Sequence, residues 1–375
     1  MSFTALSLHR LFLRGAQSGV FLFVWILIFE YLYLTSTLER AAFYTALIFC
    51  AVHAVSFLLT PYSARAVRNG VQILGTKALA SLICAYLVLV FSFLGAVSFW
   101  LGIAVFVFLL GTYRALYWIP YQAHMGERGG NAVYEILVAC MPLVFGYIAT
   151  LAPHPSAVLI AGSALVGISL ISQRYIPDVV EKFPWRVGET FRAFFEASHR
   201  ALVVRSAVDG AHATALFLLW PLAVFMLLSW SYALVGIVFS LTLFTILIAR
   251  SILKYLGPAV LQKSSVRGAV VVSAWVLRLV AATPLAVIAV GAYAHALGNS
   301  RDEIDIVAFD HTPDQGVYLD EHTALKEMGS AFGKIVTAFF FAGLVGFFTI
   351  PSAFTIVFIL VALMSGAMLV WGRAR

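Results

Sequence analysis

The sequence predicts an all-α polytopic membrane protein of 12 transmembrane helices, arranged as two pseudo-symmetric six-helix bundles. Composition is the first ground for this. With 62% apolar residues, 11% charged residues and a mean hydropathy of +0.97, the chain has too little polar surface for a soluble domain. In a bilayer about 20 apolar residues span the ~30 Å hydrocarbon core as a helix, which satisfies its own backbone hydrogen bonds. Strand-like alternation is absent, so the spans are helical. An internal repeat is the second ground. Leu110-Gly111-x-x-Arg114 followed by His124 returns as Leu297-Gly298-x-x-Arg301 followed by His311, every matched residue displaced by the same 187 positions. Nearly the same offset links Gly15-Ala16 and Trp25 to Gly210-Ala211 and Trp220, Ala64-Arg65 and Gly70 to Ala249-Arg250 and Gly257, and Pro155-Ser156-Ala157 to Pro351-Ser352-Ala353. Duplicated halves in a membrane chain point to a transporter, because a site at the repeat interface can open to each side in turn.

Apolar runs, read against charged and Pro/Gly breaks, place spans near 16–35, 40–60, 74–95, 97–123, 130–152 and 155–173. The first run follows a basic start, but no small-residue cleavage site comes after it, so it reads as an uncleaved first helix. A polar connector at 174–205 leads to spans near 206–229, 231–251, 267–283, 284–308, 324–348 and 351–371. Pro284 alone marks the turn between the ninth and tenth spans, and the repeat supports it with a turn near Gly95. The expected division is a first bundle over 1–173, a cytoplasmic connector over 174–205 and a second bundle over 206–375.

Lys and Arg settle the expected orientation. Arg10, Arg65, Arg128, Arg200, Lys254 and Arg373, with most other basic residues, fall on the side of the termini, whereas the opposite loops hold only Glu39 and Arg40. Both termini are therefore expected in the cytoplasm, in a multi-pass protein of the inner cell membrane. This distribution also accounts for the net charge of +7. The basic residues are dispersed over loop ends rather than gathered on one face, which excludes a nucleic-acid partner. Cys50, Cys84 and Cys140 lie inside apolar spans with no paired spacing, which argues against disulfide or zinc roles. The chain has no G-x-S-x-G, no P-loop lysine motif and no H-E-x-x-H helix. No enzyme activity, cofactor or metal is expected, and the energy must come from gradients. The acidic stretch 302–327, with Asp310, His311 and Asp314, has oxygen and imidazole donors for a divalent cation or an interfacial lipid enzyme. Its spacing fits no ligand framework and reads as a solvated loop.

Twelve spans in two sets of six, a central connector and these repeat marks resemble the major facilitator superfamily over the whole chain. Many members carry a G-x-x-x-D-R-x-G-R-[KR] loop between helices 2 and 3. Here that loop reads Pro61-Tyr62-Ser63-Ala64-Arg65-Ala66-Val67-Arg68-Asn69-Gly70-Val71-Gln72. Only the late glycine and the basic character are kept, and the motif Asp is missing. The segment Tyr117-Trp118-Ile119-Pro120-Tyr121 before His124 resembles the end of helix 4 in some bacterial members. The resemblance implies a cavity lined by helices 1, 4, 7 and 10, with helix 9 peripheral.

Ionisable groups inside spans mark candidate sites, since Arg or Asp at a helix centre costs about 2.5–3.5 kcal/mol on insertion scales. Arg114 carries Tyr117, Trp118 and Tyr121 at i+3, i+4 and i+7, a guanidinium and three rings on one helical face. That face suits an anionic or aromatic substrate; an interfacial aromatic belt is the alternative. Arg205, Asp209 and His212 open helix 7, and Asp209 with His212 forms a candidate proton-transfer pair, the alternative being a surface pair of Arg205 with Asp209. Glu30 lies deep in helix 1 by count but near Tyr31 and Tyr33, so it serves either proton coupling or an outward-snorkelling belt. Glu135 and Glu327 are expected to pair with Arg114 and Arg301 as two related gates. Asp302 and Asp305 end helix 10 in acid where helix 4 ends in aromatics. Arg278, within helix 9, has Trp275 at i−3 for a cation–π contact and reads as a brace or a functional cation. His53 reads as a packing histidine.

The function expected from this pattern is secondary active transport of a small organic solute, anionic or amphipathic, by alternating access with proton coupling. The expected partners are that solute, membrane lipids and protons, and the protein is expected to act as a monomer. A lipid or lysolipid cargo is one alternative. A non-transporting receptor or a membrane-embedded lipid-modifying enzyme is the alternative from another class.

Overall fold

A computed structural model describes residues 2–124, 132–176, 178, 183–256, 264–297 and 321–371. The first half folds as α1 (Ser2–Thr35), α2 (Leu38–Ala66), α3 (Val71–Phe93), α4 (Phe99–His124), α5 (Ala132–Leu151) and α6 (Ala157–Gln173). A short amphipathic α7 (Val187–Phe195) lies within the connector. The seventh span runs through α8 (Arg200–Thr214), a π-helical turn at Ala215–Leu219 and α9 (Trp220–Leu227). Then follow α10 (Tyr232–Leu256), α11 (Ser264–Leu279), α12 (Pro284–Leu297), α13 (Glu321–Val345) and α14 (Ile350–Trp371). Among the described residues, 9 of these helical segments are long and apolar enough to cross a membrane, and α6, α11 and α12 hold shorter apolar segments. The protein is thus a multi-pass membrane protein.

Boundaries follow local chemistry. Thr37 caps α2 by accepting from Arg40 N–H, and Glu39 sits in its first turn, where the helix dipole favours an anion. Gly70 adopts φ +103°, a region L side chains avoid, so only glycine lets the chain pass from the 3₁₀ turn Val67–Asn69 into α3. Pro284 opens α12, where its missing N–H costs nothing. The connector differs from the uniform polar link that composition predicts. Its α7 starts with Arg186 N–H donating to the Glu189 carboxylate at 2.6 Å, and buries Phe194 against Phe57 of α2. The seventh span also begins at Arg200, earlier than hydropathy indicates, because its first turns are amphipathic rather than uniformly apolar.

The two halves repeat the same helix pairings. In the first, α1 packs on α5 and α6, α2 on α4, and α3 on α4 and α6. Six spans on, α8 packs on α13 and α14, α10 on α12, and α11 on α12 and α14. The two most extensive contacts between the halves exchange under the same relation, α2 with α13 and α5 with α10. Lipid supplies no hydrophobic drive between helices, so close backbone approach through small residues does this work. Gly146 and Gly236 face each other where α5 crosses α10, and a Cβ on Gly146 would lie 2.7 Å from the Tyr232 carbonyl oxygen. Leu143 N–H donates to Ser240 at 2.8 Å beside them.

Candidate functional site

Among the described residues, side chains of the two halves meet at both ends of the seam. At the end away from the termini, the turn joining α9 to α10 holds Ser229 and Trp230 at φ +55° and +63°. This left-handed pair is costly for non-glycine residues and drives Trp230 between α1 side chains. Its ring stacks on Phe29 and Tyr33, with centroids at 5.6 and 4.8 Å, and the Tyr232 hydroxyl donates to Glu30. At the end bearing the termini, Ala64 and Val67 of the α2 end pack with Ala324 of α13.

Between these seals the expected residues separate into different environments. Arg114, half-buried on α4, holds its guanidinium 5.5 Å from the Phe21 ring centroid on α1. Its field reaches Tyr86, Glu327 and Lys334, and Lys334 also acts on the buried His53. Lys334 is 4% exposed near the middle of α13, and Thr214 of the seventh span crosses to its backbone carbonyl at 3.5 Å. This cation was not singled out in the sequence, although a lysine inside an apolar span is the signal that flags one.

Tyr117 and Trp118 do not share the open face expected for them. They are 2% and 5% exposed. Tyr117 meets His9 Nε2 at 3.0 Å, stacks on Tyr113 and joins a buried network in which Gln17 donates to Tyr113 and His9 meets Ser169. Tyr117 and Trp118 of the α4 stripe thus pack within the first bundle, while Arg114 extends toward α1 and the seam. The side chain of Tyr121 lies outside the described residues, as do Arg301, Asp302 and Asp305 with the acidic stretch up to 320, whereas residues 321–327 open α13 and are helix rather than the loop expected there.

One expected gating pair is redrawn, and the other, Glu327 with Arg301, involves a residue outside those described. Glu135 takes a bidentate pair with Arg14 of α1, both bonds at 2.9 Å, because α5 packs beside α1 and brings the two side chains together. Glu327 acts electrostatically on both Arg114 and Lys334, so a first-half cation and a second-half anion attract each other across the seam. Of the candidate proton carriers, Asp209 is exposed. His212 Nδ1 accepts from Trp275 Nε1 at 3.1 Å, and Glu30 belongs to the far seal. Among the described residues no group of three or more metal-ligating side chains occurs.

A cavity of about 70 Å³, taken as the space open to the centre of a water-sized sphere, lies at the seam between α1, α5, the seventh span, α10, α11 and α12. Its wall is aromatic and aliphatic, with Phe21, Phe217, Trp220 and Phe239 prominent and Arg278 the single charged member among the described residues. The π-helical turn shapes one side. Pro221 has no N–H to return to the carbonyl of Phe217, so the helix widens there, and Leu216 and Phe217 line the cavity. Arg278 is 5% exposed and lies over Trp275 at 4.4 Å and Trp220 at 5.7 Å. Helix periodicity indicated the Trp275 contact; Trp220 is brought by the neighbouring span.

No family model and no curated protein matches the sequence. Solved structures do match over nearly the whole length. The human organic anion transporter MFSD10 (TETRAN) aligns with a TM-score of 0.61 at 14% identity, covering 98% of both chains. The peptide transporter POT, in a mutant form in complex with alafosfalin, aligns with a TM-score of 0.64 at 12% identity, covering 99% of this chain and 94% of its own. Both are transporters rather than enzymes. The twelve apolar helical segments among the described residues, the repeated pairings, the α2–α13 and α5–α10 seams and these alignments show that the chain shares the fold of these two transporters, a fold like the one the sequence resemblance implied.

Proposed function

We propose that the protein is a secondary active transporter that moves a small organic anion by alternating access, with proton coupling, at an interface between halves spanning 1–173 and 206–375. The observation that carries this reading is the pair of cations at the seam, the half-buried Arg114 and the buried Lys334. Arg114 comes from the first half and Lys334 and Glu327 from the second, and the three act on one another electrostatically, so separating the halves loses the attraction of Arg114 to Glu327 and relieves its repulsion with Lys334. An anionic solute can replace Glu327 as the partner of Arg114, and its arrival then favours a different pairing of the halves. Orientation with both termini in the cytoplasm of an inner membrane, and function as a monomer, belong to the same proposal.

The test uses purified protein in liposomes loaded with a mixed metabolite extract, whose redistribution is followed by mass spectrometry with and without an imposed pH gradient. Movement of a carboxylate- or phosphate-bearing compound is expected, together with its collapse in Arg114→Ala. Redistribution of nothing by folded, correctly reconstituted protein, or equal transport by Arg114→Ala, would overturn the reading.

A further inference from the structure

Two polar atoms in the first half, Gln17 Oε1 and the Tyr86 hydroxyl, have no hydrogen-bond partner among the described residues, although both side chains are fully buried. Buried polar atoms are paired in native structures with few exceptions, because an unmade bond forfeits the water given up on burial. Inside a membrane span no bulk water relieves that cost. The two atoms therefore call for a partner from outside the chain.

Their placement ties them to one cation. Gln17 and Phe21 stand one turn apart on α1 and share a face, and the Arg114 guanidinium lies 5.5 Å from the Phe21 ring centroid. Gln17 Nε2 donates to the Tyr113 hydroxyl, which holds the amide in place and leaves its oxygen as the open acceptor. Tyr113 is held in turn by its stacking on Tyr117. The charge of Arg114 acts on both Tyr113 and Tyr86. Phe21 also lines the seam cavity, so this group of side chains adjoins space that lies between the halves.

The chemistry of the three groups defines a ligand. A guanidinium and a phenol O–H both donate to a carboxylate. An amide oxygen only accepts, so it needs a donor on the same molecule. An ammonium donor would stand in the field of Arg114, whereas a neutral hydroxyl carries no such repulsion.

We propose that the solute taken at Arg114 is a hydroxycarboxylate, its carboxylate held by Arg114 and the Tyr86 hydroxyl and its own hydroxyl donating to Gln17 Oε1. The proposal rests on the transport reading for the anion at Arg114 and adds the hydroxyl, with Gln17 as the residue that selects it.

The test titrates detergent-purified full-length protein with 2- and 3-hydroxybutyrate, their methyl ethers and butyrate, reading tryptophan emission and thermal midpoint. A hydroxy acid is expected to bind about tenfold tighter than butyrate and than its own ether, which keeps the oxygen but cannot donate. Gln17→Leu should bring hydroxy acid, ether and butyrate to one affinity. Tyr86→Phe should weaken all of them alike and keep the hydroxyl preference. It should also leave the thermal midpoint of the unliganded protein level or higher, because it deletes a buried hydroxyl that has no partner. If Gln17→Leu fails to fold, the ether comparison and Tyr86→Phe still decide. A hydroxy acid no tighter than its ether, a preference undiminished in Gln17→Leu, or binding of none of these compounds would overturn the proposal. Equal, Arg114-dependent binding of butyrate and the hydroxy acids leaves the anion site of the transport reading standing and removes the hydroxyl. Hydroxyl-selective binding undiminished in Arg114→Ala removes the anion site itself.

Discussion

A carboxylate missing from one loop is supplied by another. The helix 2–3 loop lacks the acid of the related motif, yet Asp178 of the connector accepts from Gln72 N–H at 2.9 Å, in the first turn of α3. Arg68 of the same loop donates to the Phe183 carbonyl, also in the connector. Loop and connector are therefore tied by side chains more than 100 residues apart, which no local spacing reveals. Loss of a helix N-terminal cap costs about 1 kcal/mol. Asp178→Ala is accordingly expected to lower the thermal midpoint of the purified protein, while Asp178→Asn, which keeps an acceptor oxygen, should recover most of it; equal losses in both variants would show that charge rather than capping matters. Other site residues divide in the same way. Arg114, Glu327 and Arg278 announce themselves as charges inside apolar runs. The burial of Tyr117 and Trp118 does not, since an aromatic face on a helix reads alike whether it meets a cavity or a neighbouring helix.

At the scale of elements, the break in the seventh span has a visible cause and a function that follows from position. Proline inside a helix costs about 3 kcal/mol or more by removing a bond and crowding the preceding turn. The π turn at Ala215–Leu219 absorbs that crowding and points Leu216 and Phe217 into the cavity. Pro221→Ala is expected to let the helix regularise, raising thermal stability while reducing solute uptake several-fold because the cavity wall shifts. A variant that gains stability with uptake intact would separate the bulge from function. The dipeptide Trp220-Pro221 gives the position of the break in the sequence, but its form depends on neighbouring helices that hold the released carbonyls in place.

Across the whole molecule, alternating access requires one seal to open while the other holds. The far seal concentrates its area in Trp230, stacked on Phe29 and Tyr33, with the Tyr232 to Glu30 hydrogen bond beside it. At the terminus end, contact among the described residues runs over a broader front formed by α2, α13 and α7. Trp230→Ala is therefore expected to shift the population toward a form open at the far end. Spin labels at Thr37 and Phe347, both exposed at that end, should report a longer distance in the variant by pulsed electron resonance. An unchanged distance distribution would remove Trp230 from the seal. By the same logic Trp230→Ala should leave the Arg114 to Glu327 attraction in place, since it lies nearer the other seal.

The sequence by itself determined the solvent, the helical class, the twelve apolar segments and their duplication. Each of these follows from hydrophobic periods and from residue identities at a fixed offset, which act locally. It also marked Arg114, Arg278, Glu135 and Glu327, because a charge in hydrocarbon is costly wherever the chain goes. The partners were decided only in three dimensions. Glu135 meets Arg14 because α5 lies on α1, Glu327 faces Arg114 because α13 crosses the seam, and Arg278 enters the cavity because Trp220 and Trp275 hold it from two spans. Charge pairing and cavity lining depend on which helix faces which, and that is set by close small-residue contacts such as Gly146 with Gly236, whose effect becomes visible only when the helices are packed.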